Sequence, residues 1–125
     1  VVLITWANDN HFDFVMNWVA SLRAIKVRNF VVGAMDSVLL EKLIKGGIPT
    51  FDMQTSMSTS DFGWGTADFH QMGRHKVQLI ATTLSFGVDV LVCDVDTVWL
   101  RNPLPFLARH PQADILTSSD HLSTS

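Results

Sequence analysis

Hydrophobic and polar residues follow each other along the chain in blocks that predict alternating strands and helices. Val1 to Thr5 is a β-branched run that stops at a polar loop, which is typical of a strand. From His11 onward, apolar residues recur at three- and four-residue spacing, and Asp9 or Asn10 is expected to cap the resulting helix. The apolar face of this helix is predicted to contain Phe12, Val15, Met16, Val19 and Leu22.

The middle of the chain continues the alternation. Residues 29–34 (NFVVGA) predict a second strand, and Ser37 is expected to cap a helix that runs to Lys45 and ends at two glycines. Residues 48–51 predict a short third strand. The polar, glycine-rich segment 53–68 is too long for a tight turn, so we interpret it as a binding loop or lid in which Trp64 stacks on a sugar.

The last part of the chain predicts a long helix and two more strands. Gly87 ends the helix, whose apolar face is expected to hold Gly73, Val77, Ile80, Ala81 and Leu84. Residues 88–93 are almost all apolar, as in a parallel strand that is covered on both faces. Pro103 begins a short helix around Phe106, and residues 113–117 predict a final strand.

This order of elements specifies an α/β fold: a mostly parallel sheet with helices on both faces, in a single domain over residues 1–125. Ligands of such sheets bind beyond the carboxyl ends of the strands, where the strand order reverses. Polar residues that follow strands are therefore the candidates for a site.

Composition narrows the classes of function. The chain has 125 residues, 47% hydrophobic and 17% charged, which is enough for one folded core. A net charge of -3 and nine scattered Lys and Arg residues give no basic stripe for a nucleic acid. Apolar runs are far shorter than the ~20 residues that span a bilayer. The chain opens on a strand without a targeting segment, so we interpret it as a processed or excised piece, and Cys93 as a buried apolar residue.

Two carboxylates, Asp94 and Asp96, follow the most hydrophobic predicted strand with one residue between them. In extended backbone, such residues face the same side. Two neighbouring acids repel each other, and a cation that binds both removes this cost. Oxygen ligands of this kind suit Mg²⁺ or Mn²⁺, with water and a phosphate completing the shell. The alternative is that one Asp caps a turn and the other is solvated.

Other polar residues are open to two interpretations. The loop after the first strand lacks G-x-G-x-x-G, and no P-loop pattern occurs, which disfavours the usual dinucleotide sites. Asp36 follows the second strand, where it can bind a ribose hydroxyl or cap the next helix. The cationic segment 74–76 can meet a diphosphate or remain solvated. Asp120 can border the cleft. Four histidines lack the spacing of a zinc site: His11, His70, His110 and His121.

Several segments together resemble glycosyltransferase family 77, whose domain is a nucleotide-diphospho-sugar transferase of plants and algae. They are Thr5 to Asn10 (TWANDN), Gly33 to Asp36 (GAMD), Asp61 to Gly65 (DFGWG), Met72 to Lys76 (MGRHK) and Cys93 to Pro103 (CDVDTVWLRNP). D-x-D alone is a weak signal, whereas its combination with V-W-L-R-N-P and M-G-R-x-K in this order is specific. Within the family, the chain looks closest to arabinosyltransferases that extend hydroxyproline-linked arabinose on cell-wall extensins.

The resemblance implies a GT-A fold in which the D-x-D segment, Asp94, Val95 and Asp96, binds the donor, with the two carboxylates holding Mn²⁺ (or Mg²⁺) as catalytic groups. It further implies a UDP-sugar donor, a glycan or glycoprotein acceptor, retention of anomeric configuration and a Golgi lumenal location in a type II membrane protein. Arg74 or Lys76 would contact the diphosphate or the sugar. The implied uridine contacts are Thr5, Trp6, Ala7, Asn8 and Asp36. Related enzymes take most of the acceptor site from a later part of the sheet, which this chain is expected to lack.

Two other functions remain open at this point. Asp94 to Val98 also fits the D-x-D-x-[TV] motif of haloacid-dehalogenase phosphohydrolases, with Asp94 as nucleophile and Asp96 as general acid/base. That motif normally follows the first strand of its domain, and here most of the chain precedes it. The second alternative is a non-catalytic module that binds a sugar nucleotide.

Overall fold

The computed structural model describes residues 1–53 and 67–119. In these ranges the strands are β1 (Val2–Ala7), β2 (Phe30–Ala34), β3 (Thr50–Asp52) and β4 (Val90–Val92). The helices are α1 (Phe12–Ala24), α2 (Ser37–Lys45), α3 (Ala67–Ser85) and α4 (Leu104–Leu107), and a 3-10 turn (Asp9–His11) precedes α1. The segment with Trp64, and Asp120 and His121, lie outside the described residues. No helix in the described ranges is both long and apolar enough to cross a membrane.

The four strands form one parallel sheet in the order β3-β2-β1-β4. Thr5 pairs with Val32 on one side of β1, and Ile4 pairs with Val92 on the other. The chain builds the sheet outward from β1 through β2 and β3, then returns to the opposite edge for β4. The predicted parallel α/β fold is therefore confirmed, and its strand order reverses between β1 and β4.

One face of the sheet carries the main hydrophobic core, against α1 and α2. Alternate strand residues such as Leu3 and Val32 are buried there, as the two-residue period of a strand requires. Trp18 of α1 is fully buried and meets Phe30 edge to face, with ring centroids 5.7 Å apart. The sequence prediction placed Met16 on the buried face of α1, but Met16 is exposed and Trp18 occupies the core instead.

The opposite face of the sheet carries Ile4 and Trp6, with α3 beside them. Trp6 pairs with Gly33 on β2. A Cβ atom at Gly33 would lie 2.9 Å from both the Sδ of Met53 and the Cζ of Phe51. Glycine is therefore favoured here, because side chains from the edge of the sheet lie over its backbone and would have to shift for any larger residue.

The capping residues predicted for α1 and α2 are both wrong. Asp36, not Ser37, caps α2, and its carboxylate accepts a hydrogen bond from the Leu39 backbone N–H. Neither Asp9 nor Asn10 caps α1, because both lie in the 3-10 turn. The Asp9 carboxylate instead pairs with Lys42 at 2.8 Å, which ties this turn to α2.

The prediction of which face of α3 is buried is wrong. Except for the partly buried Ile80, its members are exposed, and Val77 is 68% exposed. The side of α3 that is partly buried instead carries Met72, Lys76, Leu79 and Thr83. Apolar spacing identified one stripe of the helix, but the contact between Lys76 and Trp6 turns another stripe toward the sheet.

The end of the sheet also differs from the prediction. The fourth strand is limited to Val90–Val92 and is not covered on both faces, because Val92 is 38% exposed. Residues 113–117 form no strand, and Ile115 is 85% exposed. In the described residues β4 is an edge of the sheet, and residues 113–117 do not pair with it. The short helix after Pro103 is confirmed as α4.

Candidate active site

A cavity of about 280 Å³ opens at the carboxyl ends of β1 and β4, where the strand order reverses. This is the position at which parallel α/β sheets bind ligands. The loop after β1, the turn after β4 and the inner side of α3 all contribute to its wall. The lining residues are Trp6, Ala7, Asn8, His11, Phe14, Met35, Met72, Lys76, Asp94, Val95 and Asp96.

The two carboxylates reach this cavity through a turn rather than through an extended strand. The Asp94 carbonyl accepts hydrogen bonds from the backbone N–H of Thr97 at 3.2 Å and from its hydroxyl at 2.7 Å. Asp96 therefore lies within a closed turn, and the expected strand alternation does not place it. Both carboxylates nevertheless line the same cavity and are exposed to solvent.

The chemistry of this donor set fits Mg²⁺ or Mn²⁺. Asp94 and Asp96 provide hard carboxylate oxygens on an accessible wall. No cluster of three or more His, Cys, Asp or Glu side chains that could enclose a metal occurs within residues 1–53 and 67–119. Mg²⁺-type sites commonly use one or two carboxylates and leave the other positions to water and substrate phosphate. The arrangement thus suits a metal that is shared with a phosphate ligand.

The loop after β1 is held by hydrogen bonds that begin at Asn8. The Asn8 carbonyl accepts from the His11 backbone N–H at 3.1 Å, and its side-chain oxygen lies 3.0 Å from His11 Nδ1. Asn8 itself is almost fully buried. Asp36 also fixes this loop, since its Oδ2 accepts the Asp9 backbone N–H at 2.7 Å. These contacts hold the imidazole of His11 at the cavity wall.

Lys76 of α3 brings a positive charge to the carboxylates. Its Nζ lies 4.8 Å from the centroid of the Trp6 ring. Desolvation by burial lowers the pKa of Lys76, and the nearby charge of Asp94 acts in the opposite direction. The cavity therefore combines two acids and one partly desolvated ammonium group.

Several residues predicted for the site lie elsewhere. The side chain of Thr5 is fully buried in β1 and does not line the cavity. Asp36 uses both carboxylate oxygens to bind backbone N–H groups. Arg74 lines a separate, more open groove on α3. Their nucleotide-binding roles stay predictions, whereas Trp6, Ala7, Asn8, Lys76, Asp94, Val95 and Asp96 do come together.

Sequence reasoning did not place His11, Phe14, Met35 or Met72 in the site, although all four line the cavity. One feature of the sequence could have identified His11 as a site residue. It lies four residues after a strand that ends where a parallel sheet binds its ligands. The other three are apolar and carry no charged group that could mark a ligand site in the sequence.

Cys93 lies directly before the acidic turn but faces the core. Burial raises the pKa of its thiol to about 11, although the indole N–H groups of Trp99 and Trp18 oppose part of this shift. The predicted buried, apolar role of Cys93 is confirmed.

Comparison with known proteins agrees with this geometry. The family described as nucleotide-diphospho-sugar transferase matches residues 25–125, which include α3, β4 and the acidic turn. The chain belongs to the nucleotide-diphospho-sugar transferase family. The phosphohydrolase alternative is not retained, because residues 94–98 lie within the range that matches the transferase family.

Three relatives of this transferase domain come from Arabidopsis thaliana. The chain is 52% identical to arabinosyltransferase XEG113 over 122 residues, which is 98% of this chain and 19% of that protein. It is 32% identical to β-arabinofuranosyltransferase RAY1, covering 99% of this chain and 24% of the relative. It is 24% identical to arabinosyltransferase RRA2, covering 95% and 27%. The chain thus spans about a fifth to a quarter of the length of these relatives. No solved structure matches it significantly.

Proposed function

We propose that this chain forms the donor-binding part of a glycosyltransferase that moves arabinose from a UDP-sugar to a glycan or glycoprotein acceptor. The observation that carries the proposal is the grouping of Asp94, Asp96 and Lys76 around one cavity at the strand-order reversal. Such a site presents a metal-binding pair and a cation to a diphosphate. Arabinose is proposed because three relatives are named as arabinosyl- or arabinofuranosyltransferases.

Each charged group has a separate task in this proposal. Asp94 and Asp96 hold Mn²⁺ or Mg²⁺, which neutralises charge on the diphosphate leaving group when bound. Lys76 offers a second positive charge from α3, already in place before the bond between sugar and diphosphate breaks. Because the ammonium group is partly removed from water, its interaction with phosphate oxygens is stronger than at an open surface.

The loop after β1 is proposed to contact the nucleoside. Its backbone is fixed by Asn8, and the imidazole of His11 stands at the same wall. Retention of anomeric configuration and residence in the Golgi lumen remain predictions of the family resemblance. The anomer of a product can be determined by NMR, and the location by imaging a tagged protein.

Calorimetric titration with UDP, with and without Mn²⁺, tests the proposal. We expect binding that requires Mn²⁺ and is lost in Asp96→Asn, while Asp114→Asn, at an exposed carboxylate that does not line the cavity, binds normally. Lys76→Ala should weaken UDP binding more than Arg74→Ala, which removes a cation on the same helix that lines a different groove. Equal UDP binding by Asp96→Asn and the unchanged protein would refute the metal assignment.

A non-catalytic sugar-nucleotide module predicts the same binding but no transfer. The two functions separate when the protein is incubated with UDP-arabinose and Mn²⁺. Without an acceptor, a transferase slowly transfers arabinose to water and releases UDP, and with an added acceptor it forms the arabinosylated product. A binding module returns the donor unchanged.

A further inference from the structure

The family resemblance implies that Trp6 contacts uridine, but in this structure the face of the Trp6 ring contacts the ammonium group of Lys76. Trp6 is only 6% exposed, and the ammonium group of Lys76 lies 4.8 Å from the centroid of its ring. A base that stacked on this face of the indole would have to displace the ammonium group. The small exposed remainder of Trp6 cannot offer a second full face.

The partly buried position of Lys76 explains why its ammonium group contacts an aromatic ring. Its side chain extends from α3 toward β1, and burial removes part of the water that would stabilise its charge. The face of an indole is negative and attracts a cation most strongly among the aromatic rings. The Asp94 carboxylate attracts the same ammonium group from the adjacent loop. A long lysine side chain has many rotamers, and the two attractions together select one that faces the cavity.

We propose that Trp6 is a positioning residue, whose ring holds the ammonium group of Lys76 at the diphosphate side of the cavity rather than stacking on the nucleobase. This inference rests on the proposed function, since it assigns Lys76 to the diphosphate of a nucleotide. It differs from the uridine role that the resemblance implies for the same residue.

The first test is a double-mutant cycle on UDP binding in the presence of Mn²⁺. Trp6→Leu should weaken binding by about 2- to 30-fold, the range of a cation–π contact, and Lys76→Ala should weaken it at least as much. The double variant should bind no more weakly than Lys76→Ala, because Trp6 acts through Lys76. Multiplication of the two losses in the double variant would overturn the inference.

Binding of uridine distinguishes a positioning role of Trp6 from stacking of Trp6 on the base. Uridine lacks the diphosphate, so its weak binding, followed by saturation-transfer NMR, should be the same for Trp6→Leu and the unchanged protein. A stacking role predicts that Trp6→Leu loses uridine and UDP in equal proportion. Trp6→Phe keeps an aromatic ring and should retain most of the UDP affinity. This variant replaces Trp6→Leu in the comparison if Trp6→Leu does not fold.

A measurement without nucleotide separates this inference from the proposed function. In the unchanged protein, the ring current of Trp6 should move the ε-methylene protons of Lys76 upfield from their position in an exposed lysine. Trp6→Phe should keep part of this shift. An unshifted Lys76 signal in the folded protein would overturn the inference. If UDP fails to bind while the upfield shift is present, the proposed function fails and the positioning of Lys76 stands.

Discussion

Replacing Asp36 with Ala removes two hydrogen bonds at once, from one carboxylate that joins two parts of the fold. Its Oδ1 accepts the Leu39 N–H at 2.8 Å and so caps α2. Its Oδ2 accepts the Asp9 N–H at 2.7 Å and so holds the turn after β1. A lost cap costs about 1 kcal/mol and a lost bond to a charged acceptor about 1.5 to 3 kcal/mol. The sum predicts a loss of about 2.5 to 4 kcal/mol in the free energy of unfolding.

Asp36→Asn is the matched control, because it is nearly the same size. One side of its amide can still accept a backbone N–H, but the other side presents N–H to N–H whichever way the amide turns. It should therefore lose about 1 to 2 kcal/mol, less than Asp36→Ala. Urea unfolding followed by circular dichroism measures both losses. If the free energy of unfolding of Asp36→Ala lies within about 0.5 kcal/mol of that of the unchanged protein, as is usual for surface substitutions, the structural role is wrong. Loss of UDP binding by that stable variant would then identify Asp36 as a ribose contact.

Four further predictions concern buried residues. Gly33→Ala should lower the free energy of unfolding by about 1 to 3 kcal/mol, because its new Cβ would lie 2.9 Å from neighbouring side-chain atoms; unchanged urea unfolding would show that those neighbours move aside freely. Trp18→Ala should cost about 3 to 5 kcal/mol, since the indole is fully buried, and a loss below 1 kcal/mol would contradict its place in the core. The Cys93 thiol, with a pKa of about 11, should react with iodoacetamide at pH 8 about 100-fold more slowly in the folded than in the unfolded protein. Because that pKa lies above the ordinary 9.0, Cys93 should stabilise the fold below pH 9 and lose this effect as the pH rises to 11, and Cys93→Ala should lack this dependence in urea unfolding.

The sheet and its ligand-binding edge could be predicted from sequence because their signals are local. Strands such as Val2–Ala7 and Phe30–Ala34 have continuous apolar runs, and polar residues mark where they end. The D-x-D segment after β4 was predicted for the same reason. Its two carboxylates share the cavity, although a turn closed by Thr97, and not strand alternation, brings them there.

The orientation of α3 could not be predicted, because it depends on contacts between distant residues. Apolar spacing favoured the face with Val77, which is exposed, over the face with Lys76. A lysine on an inner face becomes favourable only when Trp6 and Asp94 are nearby, and they belong to other elements of the chain. The distinction between Lys76 and Arg74 therefore needed the structure.

The same limit applies to Asp36. A sequence can show that an acid precedes a helix, but it cannot show that the second oxygen binds the Asp9 backbone 27 residues away. The prediction of a strand at residues 113–117 was wrong for a related reason. A segment of strand-forming residues becomes a strand only when another strand pairs with it.

The most direct test of the central claim is to locate Mn²⁺ by its paramagnetic broadening of backbone amide NMR signals in the presence of UDP. If Asp94 and Asp96 hold the metal, the amides of Ala7, Lys76 and Val95 should broaden strongly, because these residues line the same cavity. The amides of Ala24 and Lys45 should stay sharp, because α1 and α2 end near the amino ends of β2 and β3, whereas the cavity lies at the carboxyl ends of the strands. Uniform broadening, or broadening centred away from the D-x-D turn, would contradict a donor site in this cavity.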